Sequence, residues 1–588
     1  QSTPRRHAWS SHGRICSSFG RAHTRMIRVM GDAQRSAVVT WTEVDGVSVV
    51  HGHEPGPLRG SLAFRIGKTD EYLHANGITH LAEHLALHAL GQPPHYQNGS
   101  VRTCITTFDT VGDDEQVISF FSGTCEALVR LDAERLEAER RILQVEAQQR
   151  GFGLSSQLFS WRYGAGGPGL WGFEEYAVLG ASAEAIQTWA DYVFRAQNAV
   201  LVLSGPPPAG LRLPLPPGVR IPVPELSPML PHTPARFSTG RPQVGGLATL
   251  SRSVSATAYA DLLGRRLVDR LRRELAVSYA PWVEYDRYDA AQAHLLVTAD
   301  VHPDHLAAAT AALVGVVEEM AEEGVTEQEL AGLRVERHTS LAVADTAACA
   351  LVEAFTWLLS GERTPWDAFE AEADALVPDD LLAPAREARD GMLYAVPQGV
   401  SLDMDRIVEA PSTSLEPELH GSSLTPSMAA PSGATMSVSD DGVERTWPDG
   451  TRSTVRYRTC RAVLAYPSGA RVLIGPDATA VAIEPSEWIE ARTVISAVDA
   501  ATAGVVVPMP EPVEADASTV QAPAAAVSPT PQWSLLFLAV VCLVGGAAAA
   551  LMATSPAAKD ARGGLFGLSM VSIWSAIWLF RRSGVMRR

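Results

Sequence analysis

The sequence predicts a multidomain α+β protein, and three observations predict it. From Val38 to about residue 402, runs with the period of a strand alternate with runs with the period of a helix, the pattern of helices layered on sheets. Residues 435–510 carry turn signals at short, regular intervals, the pattern of a small all-β module. Residues 533–553 and 563–580 are two uncharged apolar runs of about the length needed to cross a bilayer. The expected order is two α/β units over 36–220 and 221–402, a linker over 403–434, the all-β module over 435–510, a Pro/Ala-rich tether over 511–532, a transmembrane helical hairpin over 533–580 and a basic tail over 581–588.

Composition narrows the function classes. A net charge of −18 argues against a general nucleic-acid binder. Lys68 and Lys559 are the only lysines, whereas arginine, alanine, glycine and proline abound, a bias expected of a GC-rich bacterial genome. Six cysteines, Cys16, Cys104, Cys125, Cys349, Cys460 and Cys542, have neither metal-type nor disulfide-framework spacing and read as reduced, mostly buried thiols. Residues 1–35 are rich in Arg and Ser and nearly free of acid, as in a mitochondrial transit peptide. Because the chain opens at Gln1 and Met26 and Met30 are candidate starts, this segment is read instead as disordered and without function.

Residues 61–67 read as a strand leading to a helix with the most informative stretch of the chain, Gly77-Ile78-Thr79-His80-Leu81-Ala82-Glu83-His84-Leu85. Its centre is His-x-x-Glu-His, the inverted form of the common zinc-peptidase signature. On a helix, His80 and His84 stand at i and i+4, so both imidazoles leave one face and can share one zinc ion. Glu83 lies beside them and can act as a general base toward a metal-activated water. His88 continues the same face and reads as a surplus surface histidine. Such strings also arise by chance on polar helix faces, so the motif needs a third ligand. Residues 136–146 read as a helix rich in good helix formers, with Glu139 and Glu146 two turns apart on one face. They are either ligand and support or solvated surface charges.

With these residues the chain resembles the pitrilysin/insulinase family, which includes the mitochondrial processing peptidases. The resemblance covers roughly residues 36–402 and implies two homologous α/β-sandwich peptidase domains, of which only the first binds metal. It implies one zinc per chain, held by His80, His84 and Glu146, with Glu83 as general base and Glu139 as the supporting carboxylate. The motif and the third ligand stand closer by roughly fourteen residues than the family's spacing of about seventy-five. Gly91-Gln92-Pro93-Pro94-His95-Tyr96-Gln97 leads directly to Asn98-Gly99-Ser100-Val101, so one family helix is expected to be missing there. The resemblance further implies that substrate peptide binds as an added strand along Asn98, Gly99, Ser100 and Val101. Leu271-Arg272-Arg273-Glu274-Leu275-Ala276-Val277-Ser278-Tyr279 is similar to a family block whose Arg and Tyr stabilise the developing oxyanion. Those roles fall on Arg272 and Tyr279, and the family glycine is Ala276, a departure expected to alter the local turn. Segments at 198–205 and 326–330 also match, as the closing strand and the start of a long helix.

The remaining elements follow in order. Residues 103–108 and 116–121 read as neighbouring strands, 293–299 as the corresponding strand of the second unit, and 303–322 and 326–360 as helical. Residues 435–510 faintly resemble a bacterial pleckstrin-homology-like domain, with a role in spacing or partner binding. Arg581, Arg582, Arg587 and Arg588 favour a cytoplasmic tail, which places the peptidase domains in the cytoplasm of a bacterial cell, anchored to the membrane through two passes. Lys559 and Arg562 in the connector of the hairpin pull the other way.

Two functions are thereby expected. The first is a membrane-tethered zinc endopeptidase acting on peptides or unfolded segments. The second is a catalytically attenuated member acting as a scaffold or partner subunit. Since a complete family chamber needs four such domains and this chain has two, a homodimer or a pairing with a homologous subunit is expected.

Overall fold

Strand and helix propensities place the elements, and apolar faces decide how they pack. The protein is described from a computed structural model, over residues 39–91, 95–343, 346–402 and 404–511. Strands β1 (Thr40–Val44), β2 (Val47–His51), β3 (Leu58–Phe64), β4 (Tyr96–Val101), β5 (Thr106–Gly112) and β6 (Ala199–Leu203) form one sheet in the order β1-β2-β6-β3-β5-β4. Asp45 and Gly46, both with positive φ, make the two-residue turn between β1 and β2, a geometry that Asp-Gly adopts readily. β6, an unbroken Ala-Val-Leu-Val-Leu, is buried throughout, as its place inside the sheet requires. β4 lies at the far edge and, among the described residues, pairs only with β5.

Six helices accompany this sheet: α1 (Ile78–Ala89), α2 (Asp114–Val129), α3 (Leu136–Arg150), α4 (Leu154–Tyr163), α5 (Ala177–Gly180) and α6 (Ala183–Val193). Leu81 and Leu85 of α1, Phe120 and Phe121 of α2, and Ile186 and Val193 of α6 pack on Leu62, Phe64 and Phe108 from one face of the sheet. The expected strand at 116–121 is part of α2. Asp113 and Gln116 form a capping box, each side chain accepting from the other's backbone N–H at 2.9 Å. Val117, Phe120, Phe121, Thr124, Cys125, Ala127 and Leu128 are the buried residues that follow, at helical spacing.

The second unit repeats the first. β7 (Ala235–Thr239), β8 (Gln243–Ser251), β9 (Trp282–Arg287), β10 (Gln292–Asp300), β11 (Leu393–Pro397) and β12 (Val408–Glu409) lie in the order β12-β7-β11-β8-β10-β9. The run β7-β11-β8-β10-β9 has the same chain order as β2-β6-β3-β5-β4, with the one parallel pair in the same place. Its helices are α7 (Val254–Leu267), α8 (Leu306–Glu323), α9 (Glu327–Val343), α10 (Thr346–Ser360), α11 (Trp366–Ala375) and α12 (Leu382–Gly391). Residues 326–360, expected as one helical stretch, are thus the two helices α9 and α10.

Each unit lends a helix to the other. Ala350, Ala354, Leu358 and Leu359 of α10 cover the second face of the first sheet, against Val50, Ala63, Val200 and Val202. Leu154, Leu158 and Tyr163 of α4 cover the second face of the second sheet, against Phe237, Leu247, Leu296 and Leu393. Tyr163 Oη is 2.7 Å from His294 Nε2 in β10, and burial pushes the His294 pKa down to about 3, so this imidazole is neutral. A division at residue 220 therefore separates two sheets but not two independent cores.

The segment 403–434, expected as a linker, is woven into both neighbours. β12 extends the second sheet, and β13 (Ser422–Ser423) begins a third. That sheet is β13, β14 (Thr435–Ser439), β15 (Gly442–Thr446) and β16 (Arg452–Arg456); a fourth holds β17 (Ala462–Ala465), β18 (Arg471–Ile474), β19 (Ala480–Ile483) and β20 (Val506–Pro508). This module is not all-β. Helix α13 (Ala491–Ala501) closes its core with Val494, Ile495 and Val498, beside the buried Trp488. The module also packs on the first unit: Leu464, Val472, Ile474 and Val507 share a core with Leu73, Leu170 and Tyr176. The Ala165 N–H donates to the Pro476 carbonyl at 2.9 Å.

The N-terminal segment 1–35 and the segments expected as a tether, a transmembrane hairpin at 533–580 and a basic tail lie outside the described residues. Among the described residues, no helix is long and apolar enough to cross a membrane. Cys104, Cys125, Cys349 and Cys460 are buried.

The exchange of helices predicts that truncating α10 destabilises the first unit. Leu358 is 0% exposed, so Leu358→Ala should cost about 2–5 kcal/mol. A urea titration followed by circular dichroism checks this, and an unchanged midpoint would show that α10 is not part of that core.

Candidate metal centre

Helix α1 begins where the chain is forced into a tight approach. Gly77 precedes it with φ +93°, and a Cβ there would lie 2.5 Å from the Cβ of Glu175, so both conformation and space demand glycine. The Glu71 carboxylate accepts from the N–H of Gly77 at 2.7 Å and of Thr79 at 2.9 Å, satisfying free donors at the positive end of the helix. Full burial pushes the Glu71 pKa up, against the pull of the Lys68 charge and of these hydrogen bonds.

One turn into the helix stand the two histidines. His80 Nδ1 lies 2.9 Å from Glu175 Oε2, and His84 Nδ1 lies 3.3 Å from Glu139 Oε2. A neutral imidazole that donates from Nδ1 presents a bare lone pair at Nε2. Those two Nε2 atoms lie 3.9 and 3.7 Å from the same oxygen, Glu146 Oε2. The separations are too long for hydrogen bonds. They suit three atoms that each stand about 2.0–2.2 Å from a common ion, which are then roughly 3.4 Å apart. His80, His84 and Glu146 are the one group of metal-competent side chains among the described residues whose ligand atoms all lie within 4.8 Å of one another. Two imidazoles and a carboxylate suit zinc, and three protein ligands leave a fourth position open.

The electrostatics of the cluster follow from its carboxylates. Burial lowers the His84 pKa, but the charge of Glu83, the hydrogen bond with Glu139 and the charge of Glu146 outweigh it, and the net shift is upward. The hydrogen bond with His84 holds the Glu139 carboxyl below the usual range. Arg135, at the residue before α3, also reaches Glu139, at 3.4 Å. His88 Nδ1 is 3.6 Å from Glu139 Oε1 and is half exposed, at the rim of the cluster.

Glu83 is 3% exposed, and its Oε2 lies 3.9 Å from His80 Nε2 and 3.8 Å from His84 Nε2. It faces edge strand β4, where a Cβ on Gly99 would overlap Glu83 Oε1 and reach 2.8 Å from Leu87 Cδ1. Asn98, Gly99, Ser100 and Val101 all lie on β4 and pair inward with Asp109, Phe108, Thr107 and Thr106 of β5. Between α1 and β4 the described residues contain no helix.

Arg272 and Tyr279 form a separate pair. Arg272 sits in the π-helical extension of α7, Val268–Glu274, with its guanidinium 4.8 Å from the centre of the Tyr279 ring. Tyr279 is 78% exposed, in the connection to β9. By topology this place, between α7 and edge strand β9, corresponds to that between α1 and β4 in the first unit. Neither belongs to the cluster of His80, His84 and Glu146 found among the described residues. Ala276 has φ +54°, so the backbone there keeps the conformation that the family glycine would serve, and alanine is strained in it.

Glu175 and Lys68 were not anticipated. Glu175 stands in an irregular loop after Gly172, where an adjacent pair of acids, Glu174 and Glu175, looks like solvated charge. The one local signal is the left-handed Gly77, which lets that loop reach α1.

No family model matches the chain, and no curated protein matches it. Among solved structures, the fold is similar to that of a protease from Helicobacter pylori, at 14% identity and a TM-score of 0.51, over 61% of this chain and 99% of that one. It is also similar to an inactive peptidase domain from Pseudomonas fluorescens, at 13% identity and a TM-score of 0.48, over 63% of this chain and 100% of that one. Pitrilysin is similar at 14% identity and a TM-score of 0.47, over 62% of this chain and 45% of that one. The mixed α/β fold of the two repeated units is thus a fold found in proteases.

Because Gly99 has no room for a side chain, Gly99→Ala should displace either β4 or Glu83. Overpacking of this kind costs about 1–3 kcal/mol. Thermal unfolding measures it, and a variant as stable as the parent would show that the strand yields freely.

Proposed function

We propose that this chain is a zinc-dependent endopeptidase of the pitrilysin/insulinase type, with one zinc per chain held by His80, His84 and Glu146. One observation carries the reading. Two imidazoles, each with Nδ1 on a carboxylate, aim Nε2 at a third carboxylate, with a buried glutamate beside them. Zinc in that place would supply a Lewis acid that activates water and polarises an amide carbonyl.

This chain's residues provide the rest. Glu83 takes the proton from the attacking water and passes it to the leaving amine. Its burial keeps it near the ligands and limits competing solvent. Peptide adds as a strand to the free edge of β4, hydrogen-bonding to the backbone of Asn98–Val101, so that selectivity for side chains is broad. Gly99, next to Glu83, brings that backbone close to the general base. Arg272 and Tyr279 serve the oxyanion. Their exposure suits a site completed by a second copy. The assembly is therefore a homodimer or a pair with a homologous subunit, anchored to a bacterial membrane by the apolar runs at 533–580 with the peptidase units on the cytoplasmic side.

His84→Ala should abolish stoichiometric zinc in elemental analysis. Glu83→Gln should keep the zinc and lose at least ~10²-fold in hydrolysis of an unfolded protein substrate, since an amide cannot accept the water's proton. A parent chain that binds zinc but cleaves nothing would identify instead an attenuated member acting as scaffold or partner subunit.

The dimer is tested by mixing two inactive variants, Glu83→Gln and Tyr279→Phe. In a mixed dimer one site keeps both Glu83 and a partner's Tyr279, so activity should return toward a quarter of the parental value at random exchange. A mixture that exchanges subunits and stays inactive would exclude the shared site.

A further inference from the structure

We propose that Glu175 is a positioning residue for His80, held in that role by Lys68. This rests on the reading of His80 as a metal ligand and adds a residue that the family resemblance does not supply. The two oxygens of Glu175 are divided: Oε2 faces His80 Nδ1 at 2.9 Å, and Oε1 accepts from Lys68 Nζ at 3.0 Å. Both side chains are nearly buried, with 11% of Glu175 and 6% of Lys68 exposed. An unpaired charge in such a place is costly, so each fixes the other. Lys68 also stands 5.1 Å from the centre of the Trp171 ring, which restricts its ammonium further.

The backbone around Glu175 is pinned from several sides. Asn76, just before α1, donates from Nδ2 to the Glu174 carbonyl at 2.7 Å, and its own carbonyl accepts from the Ala177 N–H at 2.9 Å. Tyr176 is buried against the C-terminal module, in the same core as Leu464, Ile474 and Val507. The Cβ of Glu175 fills the space that Gly77 leaves open.

The consequence for His80 is chemical. A neutral imidazole has one N–H, and its partner decides which nitrogen carries it. Glu175 draws that proton to Nδ1, leaves Nε2 as the ligand atom, sets the ring plane and makes the ring a stronger donor to a cation. Glu139 does the same for His84 from α3, so each ring is oriented by a carboxylate of its own.

The test uses the full chain, stripped of metal by a chelator and titrated with zinc against a chromophoric competitor. Glu175→Gln should bind zinc roughly 10–100-fold more weakly, the usual cost of losing an outer partner of a ligand. The visible bands of the cobalt(II)-loaded variant should shift, because the His80 ring is no longer fixed. Glu174→Gln, one residue away and without contact to His80, should bind as the parent does. If Glu175→Gln fails to fold because Lys68 is left unpaired, the double variant Lys68→Met/Glu175→Gln removes both charges and should show the same loss. Parental zinc affinity and parental cobalt bands in the folded Glu175→Gln or double variant would overturn the proposal while leaving the metal reading intact. A parent chain that takes up no zinc would overturn both.

Discussion

The centre depends on how the first turn of α1 is held. Four free N–H groups at a buried helix start must find acceptors, and Glu71 supplies two oxygens for two of them. That carboxylate comes from the segment after β3, and Lys68 of the same segment carries Glu175. The start of the helix, its first histidine and the loop from 164 to 176 are therefore one polar unit. Its outer side is closed by the C-terminal module through Leu73, Leu170 and Tyr176. A module more than 250 residues downstream thus stands behind the loop that touches His80. Displacing the module would loosen the loop first and His80 second.

The repeated units show why the two sheets form one body. A six-stranded sheet with helices on one face still leaves an apolar second face. Each unit solves this with the other's helix, α4 for the second sheet and α10 for the first. The two helices occupy equivalent places in the repeat, so the exchange is reciprocal. It also ties the position of α1 to the second unit, because α10 presses on β2 and β6 from behind. The strained Ala276 lies in the second unit at the place equivalent to the exit from α1, where backbone direction decides what Arg272 and Tyr279 face.

Much of this was legible in the sequence because it is periodic. The i, i+4 histidines and the two-turn spacing of Glu139 and Glu146 place side chains on known faces once helices are assumed, and the helices carry strong formers. What was not legible is what depends on approach between segments. Glu175 sits in a loop, where no period tells which way a carboxylate points. Residues 116–121 misled because Val117, Ile118, Phe120 and Phe121 suit a strand as well as a helix. The capping box of Asp113 and Gln116 was the deciding local signal. The segment 403–434 has a linker's composition, yet two short strands within it find open edges to pair with. Helix α13 was hidden by the run of turn signals and short strands that precedes it.

The cluster is a poor device for stability alone. Glu83, Glu139, His80 and His84 are ionisable groups brought together around one point, two of the carboxylates almost wholly buried. Apolar residues of similar volume at these positions would fill the space between α1 and α3 without the desolvation cost of charge. The hydrogen bonds Glu175–His80 and Glu139–His84 offset part of that cost, but they leave Glu83 and Glu146 as carboxylates facing two bare imidazole nitrogens. Protonated histidines could answer that negative charge, and the upward shift of His84 shows the pull in that direction. A divalent cation answers it more completely, because it takes both imidazoles as neutral ligands and meets the carboxylates with two positive charges. A cluster that is costly when bare would thus be balanced by the metal ion we propose, with Glu83 close beside it.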